Sequence, residues 1–405
     1  MIRRVITWGL AAFLGLQALV VGILTLDARR KRHLLQGKFP YGNSTPVPVS
    51  DSEVQIYSYG EDLYAAMLHA IQQARDRIVF ETFIWKDDPV GQQFKQELTL
   101  AAERGVAVYI IFDSFANLVV SRRFKQFAPS LHVLEYPFFT WPWNPLRLRS
   151  YARDHRKILV VDGQTAFVGG YNIGSLYATQ WRDTHARITG PDAWEVENVF
   201  IDFWNLHCGR RLPPLPDHGT RSWDPHIAIH RNDPQLVIFP IRTTYLEAID
   251  RARHHIYLTH AYFIPDRILL RALLSAARRG VDVRILVPAA SNHVLTDWLA
   301  RGYYTLCLEA GVRLLLYQNA MVHAKTATID GAWVTVGTAN MDRLSLLGNF
   351  EVNIEVYDEA LAQQMEDVFM KDASNVHELT LQEWKQRPLH EKLAEAILLP
   401  LRPFL

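Results

Sequence analysis

The sequence predicts an α/β protein built from two homologous lobes, preceded by an N-terminal transmembrane helix. Three observations predict it. Residues 5–26 form an uncharged apolar run, apolar strand-like segments alternate with amphipathic helix-like ones, and a set of chemically distinctive segments returns 168 positions later. The 405 residues give the length of two or three domains. With 49% hydrophobic and 21% charged residues, the chain has the balance of a globular protein, and disorder is excluded as its general state.

Residues 1–35 read as the anchor. As a helix, the 22 uncharged residues 5–26 span about 33 Å at ~1.5 Å per residue, enough for a ~30 Å hydrocarbon layer. Arg3 and Arg4 precede them and Arg29-Arg30-Lys31-Arg32 follow. A cleaved signal peptide competes with this reading, but the run exceeds the usual apolar region. No A-x-A site follows it, and a basic block stands where a mature N-terminus would begin. The heavier basic cluster lies after the run, which predicts insertion in the inner (cytoplasmic) membrane with the body on the cytoplasmic side. Residues 36–50, with Pro40, Pro46 and Pro48, read as a linker.

A first lobe is expected over 51–208. Residues 78–84 read as a strand, 91–104 as a helix stopped by Gly105, and 106–112 as a buried strand. This strand–helix–strand grammar predicts mixed, largely parallel sheets. Pro213, Pro214, Pro216 and Pro225 mark an inter-lobe linker over 209–225. The second lobe is expected over 226–373, followed by an amphipathic tail over 374–405. The tail contains Trp384 and an apolar run at 396–401, and reads equally as an interfacial helix or as one docked on the second lobe.

The repeat is what makes the lobes homologous. Ala102-Glu103-Arg104-Gly105-Val106-Ala107-Val108 is echoed by Ala277-Arg278-Arg279-Gly280-Val281-Asp282-Val283. The sharpest echo pairs His155, Lys157, Asp162, Gly169 and Asn172 with His323, Lys325, Asp330, Gly337 and Asn340, each 168 positions apart. Asp183 and Glu351 extend the match at the same offset. On a strand, positions i and i+2 share a face, so each His and Lys point the same way. Asp-Gly at 162–163 and 330–331, between apolar runs, signals a hairpin that returns each Asn to the His/Lys end. Asp162 and Asp330, at an odd offset inside the turn, are open to a structural role as much as a catalytic one.

This HxK-x4-D-x6-G-(G/S/T)-x-N pattern, present twice, resembles the phospholipase D superfamily over roughly residues 50–373. The resemblance implies two lobes packed face to face around one shared cleft, and phosphoryl transfer through a phosphohistidine without cofactor or metal. It also implies that His155, Lys157, Asp162, His323, Lys325 and Asp330 are catalytic, with His155 as nucleophile and His323 as general acid. The residue types suit that chemistry. A neutral imidazole attacks phosphorus while a second imidazole protonates the departing alkoxide. Lys157, Lys325, Asn172 and Asn340 would bind the phosphoryl oxygens, and Asp183 and Glu351 would each accept from an imidazole's other nitrogen. His260, at the end of a repeated strand, is a further candidate for lining the cleft.

Trp181-Arg182-Asp183-Thr184-His185, Tyr262-Phe263-Ile264-Pro265-Asp266 and Gly337-Thr338-Ala339-Asn340-Met341-Asp342-Arg343 are most similar to bacterial cardiolipin synthases. That similarity implies a phosphatidyltransferase acting on phosphatidylglycerol and other phospholipids at a membrane. A single N-terminal anchor departs from members carrying two or none. The alternative is a phosphodiesterase that hydrolyses phospholipid or, less in keeping with the motifs, nucleic acid. A net charge of +1 shows no global nucleic-acid signature, and no nucleic-acid partner is expected. Cys208 and Cys307 make neither a disulfide framework nor a ligand spacing. The aromatic loop 136–145, followed by Arg147, Arg149 and Arg153, reads as membrane-facing or as packed on its own lobe.

Overall fold

The computed structural model describes residues 2–31, 37–42, 44–139, 148–217, 219 and 225–404. α1 (Ile2–Lys31) comes first. The first lobe then runs through β1 (Val47–Val49), β2 (Ser52–Tyr57), α2 (Gly60–Gln73), β3 (Arg77–Thr82), α3 (Pro89–Glu103), β4 (Ala107–Asp113) and β5 (Leu131–Tyr136). It closes with β6 (Ile158–Val161), β7 (Thr165–Gly169), α4 (Ser175–Thr179), β8 (Trp181–Arg182), β9 (His185–Thr189) and α5 (Ala193–His207). Eight of these strands form one sheet in the order β1-β2-β9-β7-β6-β3-β4-β5.

The second lobe repeats the plan. β10 (Ile227–Asn232), α6 (Pro240–Arg251), β11 (His255–His260), β12 (Phe263–Ile264), α7 (Arg267–Arg278), β13 (Asp282–Pro288), α8 (Val294–Arg301), α9 (Tyr304–Glu309) and β14 (Arg313–Tyr317) lead into the second motif. β15 (Met321–Val322), β16 (Lys325–Ile329), β17 (Trp333–Gly337), β18 (Met341–Asp342), α10 (Arg343–Leu347), β19 (Glu351–Tyr357), α11 (Glu359–Ala373), β20 (Val376–Leu379), α12 (Leu381–Lys385) and α13 (Leu389–Leu398) follow. The sheet order is β10-β19-β17-β16-β11-β13-β14-β20. β1 and β20 are added edge strands, so residues assigned to the 36–50 linker and to the 374–405 tail each complete a sheet.

The sheets are mixed, but the expectation of largely parallel strands is corrected. In each sheet five of the seven strand pairs are antiparallel, and the parallel ones are confined to β3-β4-β5 and β11-β13-β14. The cause is local. β6–β7 and β16–β17 are hairpins, turned at Asp162-Gly163 and Asp330-Gly331, where all four residues have positive φ. That is the conformation a type I′ turn requires.

Both faces of the central strands are buried. Ile158 and Val160 of β6 pack into an apolar layer with Val334, Val336, Val352 and Ile354 of the other sheet. The alternating Leu159 and Val161 pack with Phe80, Leu98 and Phe94 under the helices. Strand alternation thus presses the two sheets face to face, each buried side chain of this size contributing about 1.5–3 kcal/mol.

The N-terminal segment differs from its expected role. Among the described residues no helix is long and apolar enough to cross a membrane. Instead the C-terminal half of α1 docks on the second lobe. Gln17 is buried and its Nε2 donates to the Ile397 carbonyl at 2.9 Å. Val20, Val21 and Leu24 pack against the second lobe's core. The tail docks there too, with Trp384 and Leu398 buried. Trp384 Nε1 donates to Thr305 Oγ1 at 2.9 Å, and Arg301 pairs with Glu391 and Glu395. Residues 32–35 of the expected anchor and basic collar, 140–147 of the aromatic loop including Arg147, and 218 and 220–224 of the inter-lobe linker lie outside the described residues.

Candidate active site

Backbone hydrogen bonds between the lobes build the site with an approximate two-fold. His155 N–H donates to the Phe350 carbonyl at 3.1 Å, and Phe350 N–H to the Arg153 carbonyl at 3.0 Å. At the related position His323 N–H donates to the Arg182 carbonyl at 2.7 Å, and β15 pairs in parallel with β8. Each histidine therefore hangs from the segment of the other lobe that leads into that lobe's acid. The acids cross accordingly. His155 Nδ1 lies 2.9 and 3.0 Å from the two Glu351 carboxyl oxygens, and His323 Nδ1 lies 2.6 Å from Asp183 Oδ2. The sequence offset leaves this exchange undetermined, because Asp183 and Glu351 stand equally far from their own histidines.

With Nδ1–H turned to a carboxyl oxygen, each neutral imidazole keeps the lone pair of Nε2 free. Burial, with Lys157 and Lys325 nearby, holds His155 well below the ordinary histidine range, and burial and Lys325 push His323 down to about 3. The two acids part company. Burial raises Glu351 to about 8. Burial also works against the Asp183 carboxylate, but Lys325, His323 and the Thr184 N–H outweigh it and hold that group below its usual range. The residues after Gly169 and Gly337 follow the same division. Thr338 Oγ1 donates to Glu351 Oε2 at 2.5 Å. Gly170 stands in the matching place and leaves room for Asp183, since a Cβ there would come within 2.0 Å of Asp183 Oδ1.

Lys157 and Lys325 are buried, and each Nζ donates to the carbonyl of its own motif's histidine. Burial lowers Lys157 to about 7 and Lys325 to about 8. Asn172 and Asn340 are also buried. Asn172 Oδ1 accepts from the Ile84 N–H at 3.1 Å, which fixes its amide, whereas Asn340 Oδ1 has no hydrogen-bond partner among the described residues. Phe83 packs edge-on 4.8 Å from the His155 ring, and Trp181 lies 5.0 Å from that of His323. Trp181 opens one of the segments that carry the family resemblance, whereas Phe83 carried no signal beyond its place in a strand.

Asp162 and Asp330, implied to be catalytic, are placed elsewhere. Each sits at the far end of β6 or β16 from its histidine, and β6 alone runs about 13 Å at ~3.3 Å per residue. The Asp162 carboxylate accepts from the backbone N–H groups of Arg75, Asp76 and Arg77 at 2.8–2.9 Å, and Asp330 accepts from those of Arg253, His254 and His255 at 2.7–2.8 Å. They tie the start of β3 and β11 to the hairpins. His260 is fully buried opposite Lys325 in the sheet, pushed by burial to about 3, with neither ring nitrogen hydrogen-bonded among the described residues. Under the first motif Arg156 is buried and pairs with Glu81 and Asp154. The second copy has Ala324 at the Arg156 position and shows no such network. Among the described residues no cluster of three or more His, Cys, Asp or Glu side chains is arranged to hold a metal.

A family model described as cardiolipin synthase, phospholipase D-like domain, matches residues 67–204 and 245–373, one stretch in each lobe. The chain belongs to this cardiolipin synthase, phospholipase D-like family. It is 32% identical to the major cardiolipin synthase ClsA of Bacillus subtilis (strain 168), over 90% of this chain and 77% of that protein. It is likewise 32% identical to a cardiolipin synthase of Listeria innocua, over 95% of this chain and 85% of that protein. Among solved structures, phosphatidylserine synthase of Haemophilus influenzae Rd KW20 superposes with a TM-score of 0.67 at 14% identity, covering 93% of this chain and 97% of that one. That likeness shows the same fold. The cardiolipin synthase family thus accounts for both lobes and for the duplicated motif.

Proposed function

We propose that the protein is a phosphatidyltransferase that makes cardiolipin from two molecules of phosphatidylglycerol, releasing glycerol. The observation that carries this reading is the pair of crossed His–carboxyl contacts set over two buried lysines. His155 Nε2 attacks the phosphorus of the first phosphatidylglycerol as the bond from phosphorus to the headgroup oxygen breaks. His323, neutral in the free site, takes up a proton on Nε2 once the anionic phosphodiester is bound beside it, and gives that proton to the departing glycerol. Lys157, Lys325 and the Asn340 amide hold the phosphoryl oxygens as charge builds on them. The headgroup hydroxyl of a second phosphatidylglycerol then attacks the phosphohistidine, and its proton passes to His323.

The division of labour agrees with the acids. Burial and Lys325 hold His323 neutral in the free site, at about 3, and the negative charge of the bound phosphodiester joins the ionised Asp183 carboxylate in favouring its imidazolium. Glu351, raised to about 8, leaves His155 the better-suited neutral nucleophile. A phosphatidyl donor requires a lipid surface, and α1 supports membrane attachment, because Leu14, Leu16, Leu19, Ile23 and Leu26 stay exposed along it. Attachment through this exposed face of α1 is part of the proposal, and co-sedimentation with phosphatidylglycerol vesicles, expected to weaken when Leu14, Leu19 and Ile23 are changed to Ser, tests it.

The decisive experiment gives the purified chain phosphatidylglycerol alone in mixed micelles and scores products by mass spectrometry. Cardiolipin with an equal amount of glycerol supports the proposal, and phosphatidic acid alone replaces it with the hydrolase reading. His155→Ala and His323→Ala are each expected to lose at least about a thousandfold in rate, as for a catalytic group acting in concert with its partner.

A further inference from the structure

On the His323 side of the cleft lies a cavity of about 560 Å³. It opens beyond the C-terminal ends of β13 and β14, the place where parallel α/β strands present ligand sites. Leu24 and Ala28 of α1 and Leu316 form an apolar part of its wall, and Arg301 and Arg387, stacked on Trp298 and Trp384, line another part with Glu383 and Glu391. A tyrosine and a carboxyl stand at the end nearest the chemistry. The Tyr262 ring is 6.2 Å from that of His323, and its hydroxyl donates to Asn292 Oδ1 at 2.6 Å. Asp297 Oδ2 accepts from the Ser291 N–H at 2.8 Å, and burial raises this carboxyl to about 6.

The first lobe fills the equivalent space. Ile84 stands where the second lobe has Tyr262, and Trp85, Phe112, Phe124 and Phe127 close the region down to a void of about 10 Å³. Two lobes of one design therefore differ here, and the hollow one is on the side of the general acid, where one alcohol must leave and another arrive.

We propose that this cavity is the acceptor-alcohol site, in which Tyr262 and Asp297 hold the vicinal hydroxyls of the acceptor's glycerol headgroup. The inference rests on the cardiolipin synthase reading and names the residues that choose a diol over water. In the second half-reaction the acceptor's terminal hydroxyl oxygen forms a bond to phosphorus as the P–N bond to His155 breaks and its electron pair returns to Nε2. The hydroxyl proton goes to Nε2 of His323, left neutral when it protonated the departing glycerol. Water in the same position gives phosphatidic acid, so the contacts to the diol set the partition.

The test follows cardiolipin, phosphatidic acid and phosphatidylethanol together, using phosphatidylglycerol micelles with added ethanol, an acceptor lacking the second hydroxyl. Asp297→Asn, which keeps an acceptor oxygen for the Ser291 N–H, and Tyr262→Phe are each expected to lower the ratio of cardiolipin to phosphatidylethanol by about tenfold or more. An unchanged ratio in both variants, or a parallel fall of all three products, overturns the inference. A wild-type chain that yields phosphatidic acid and no cardiolipin refutes the synthase reading itself and takes this inference with it, so the two failures are told apart.

Discussion

Asp162 and Asp330 belong to the repeated motif by spacing, yet each carboxylate is spent on three backbone N–H groups at the start of a neighbouring strand. Asp162→Ala is therefore expected to lower unfolding free energy by about 2 kcal/mol in denaturant titration, with the rate per folded molecule preserved. A fall in that rate matching His155→Ala would return Asp162 to the chemistry. The lysines make a separate expectation. Lys157 and Lys325, lowered by burial to about 7 and 8, are cationic below those values and lose their protons as pH rises. Affinity for an anionic, non-reactive phosphodiester analogue, which both cations favour, is therefore expected to fall as pH rises through about 7 to 8. Binding of the analogue that holds up to about 10.5, the ordinary lysine value, would show that neither lysine is desolvated in solution.

At the scale of elements, the hairpins β6–β7 and β16–β17 were readable from Asp-Gly between apolar runs, because a type I′ turn has a short sequence signature. The sheet sense was not. The strand–helix–strand grammar seen at 78–112 describes the β3-β4 crossover, but the antiparallel majority comes from chain returns such as β9 and β19, which carry no helix-length pattern between them and their neighbours. Docking of α1 was equally hidden. A lone Gln17 in an apolar run reads as a tolerated exception until Ile397, 380 positions away, supplies its partner. The turn after β7 offers a direct check on how elements hold the site. In Gly170→Ala the added methyl would displace Asp183 from His323, and the rate is expected to fall about a hundredfold. Thr338→Gly, at the matching place, is expected to cost less, because it removes one hydrogen bond to Glu351 without a clash. Equal effects would mean that the Asp183 contact does not depend on this approach.

Across the whole molecule, the 168-position repeat made the two lobes and most of the site legible, while the crossing of the acids was not, because a constant offset is silent about which partner lies across a cleft. The crossed arrangement places all of His155, Glu351, His323 and Asp183 within one chain. Mixing His155→Ala protein with His323→Ala protein is thus expected to restore no activity in the micelle assay. Recovery toward wild-type turnover would show that two chains exchange lobes.

The interlobe hydrogen bonds from His155 to Phe350 and from His323 to Arg182 have a historical consequence. A single lobe of this design, encoded alone, would own a histidine and a lysine but borrow its acid, and so would be inert except when paired with a copy of itself. Joining the two copies end to end released that constraint. Once both halves sat in one gene, one could keep a glycine beside an aspartate and fill its far wall with aromatics. The other could adopt a threonine beside a glutamate and stay open, so a symmetric pair could become one whose two sides differ.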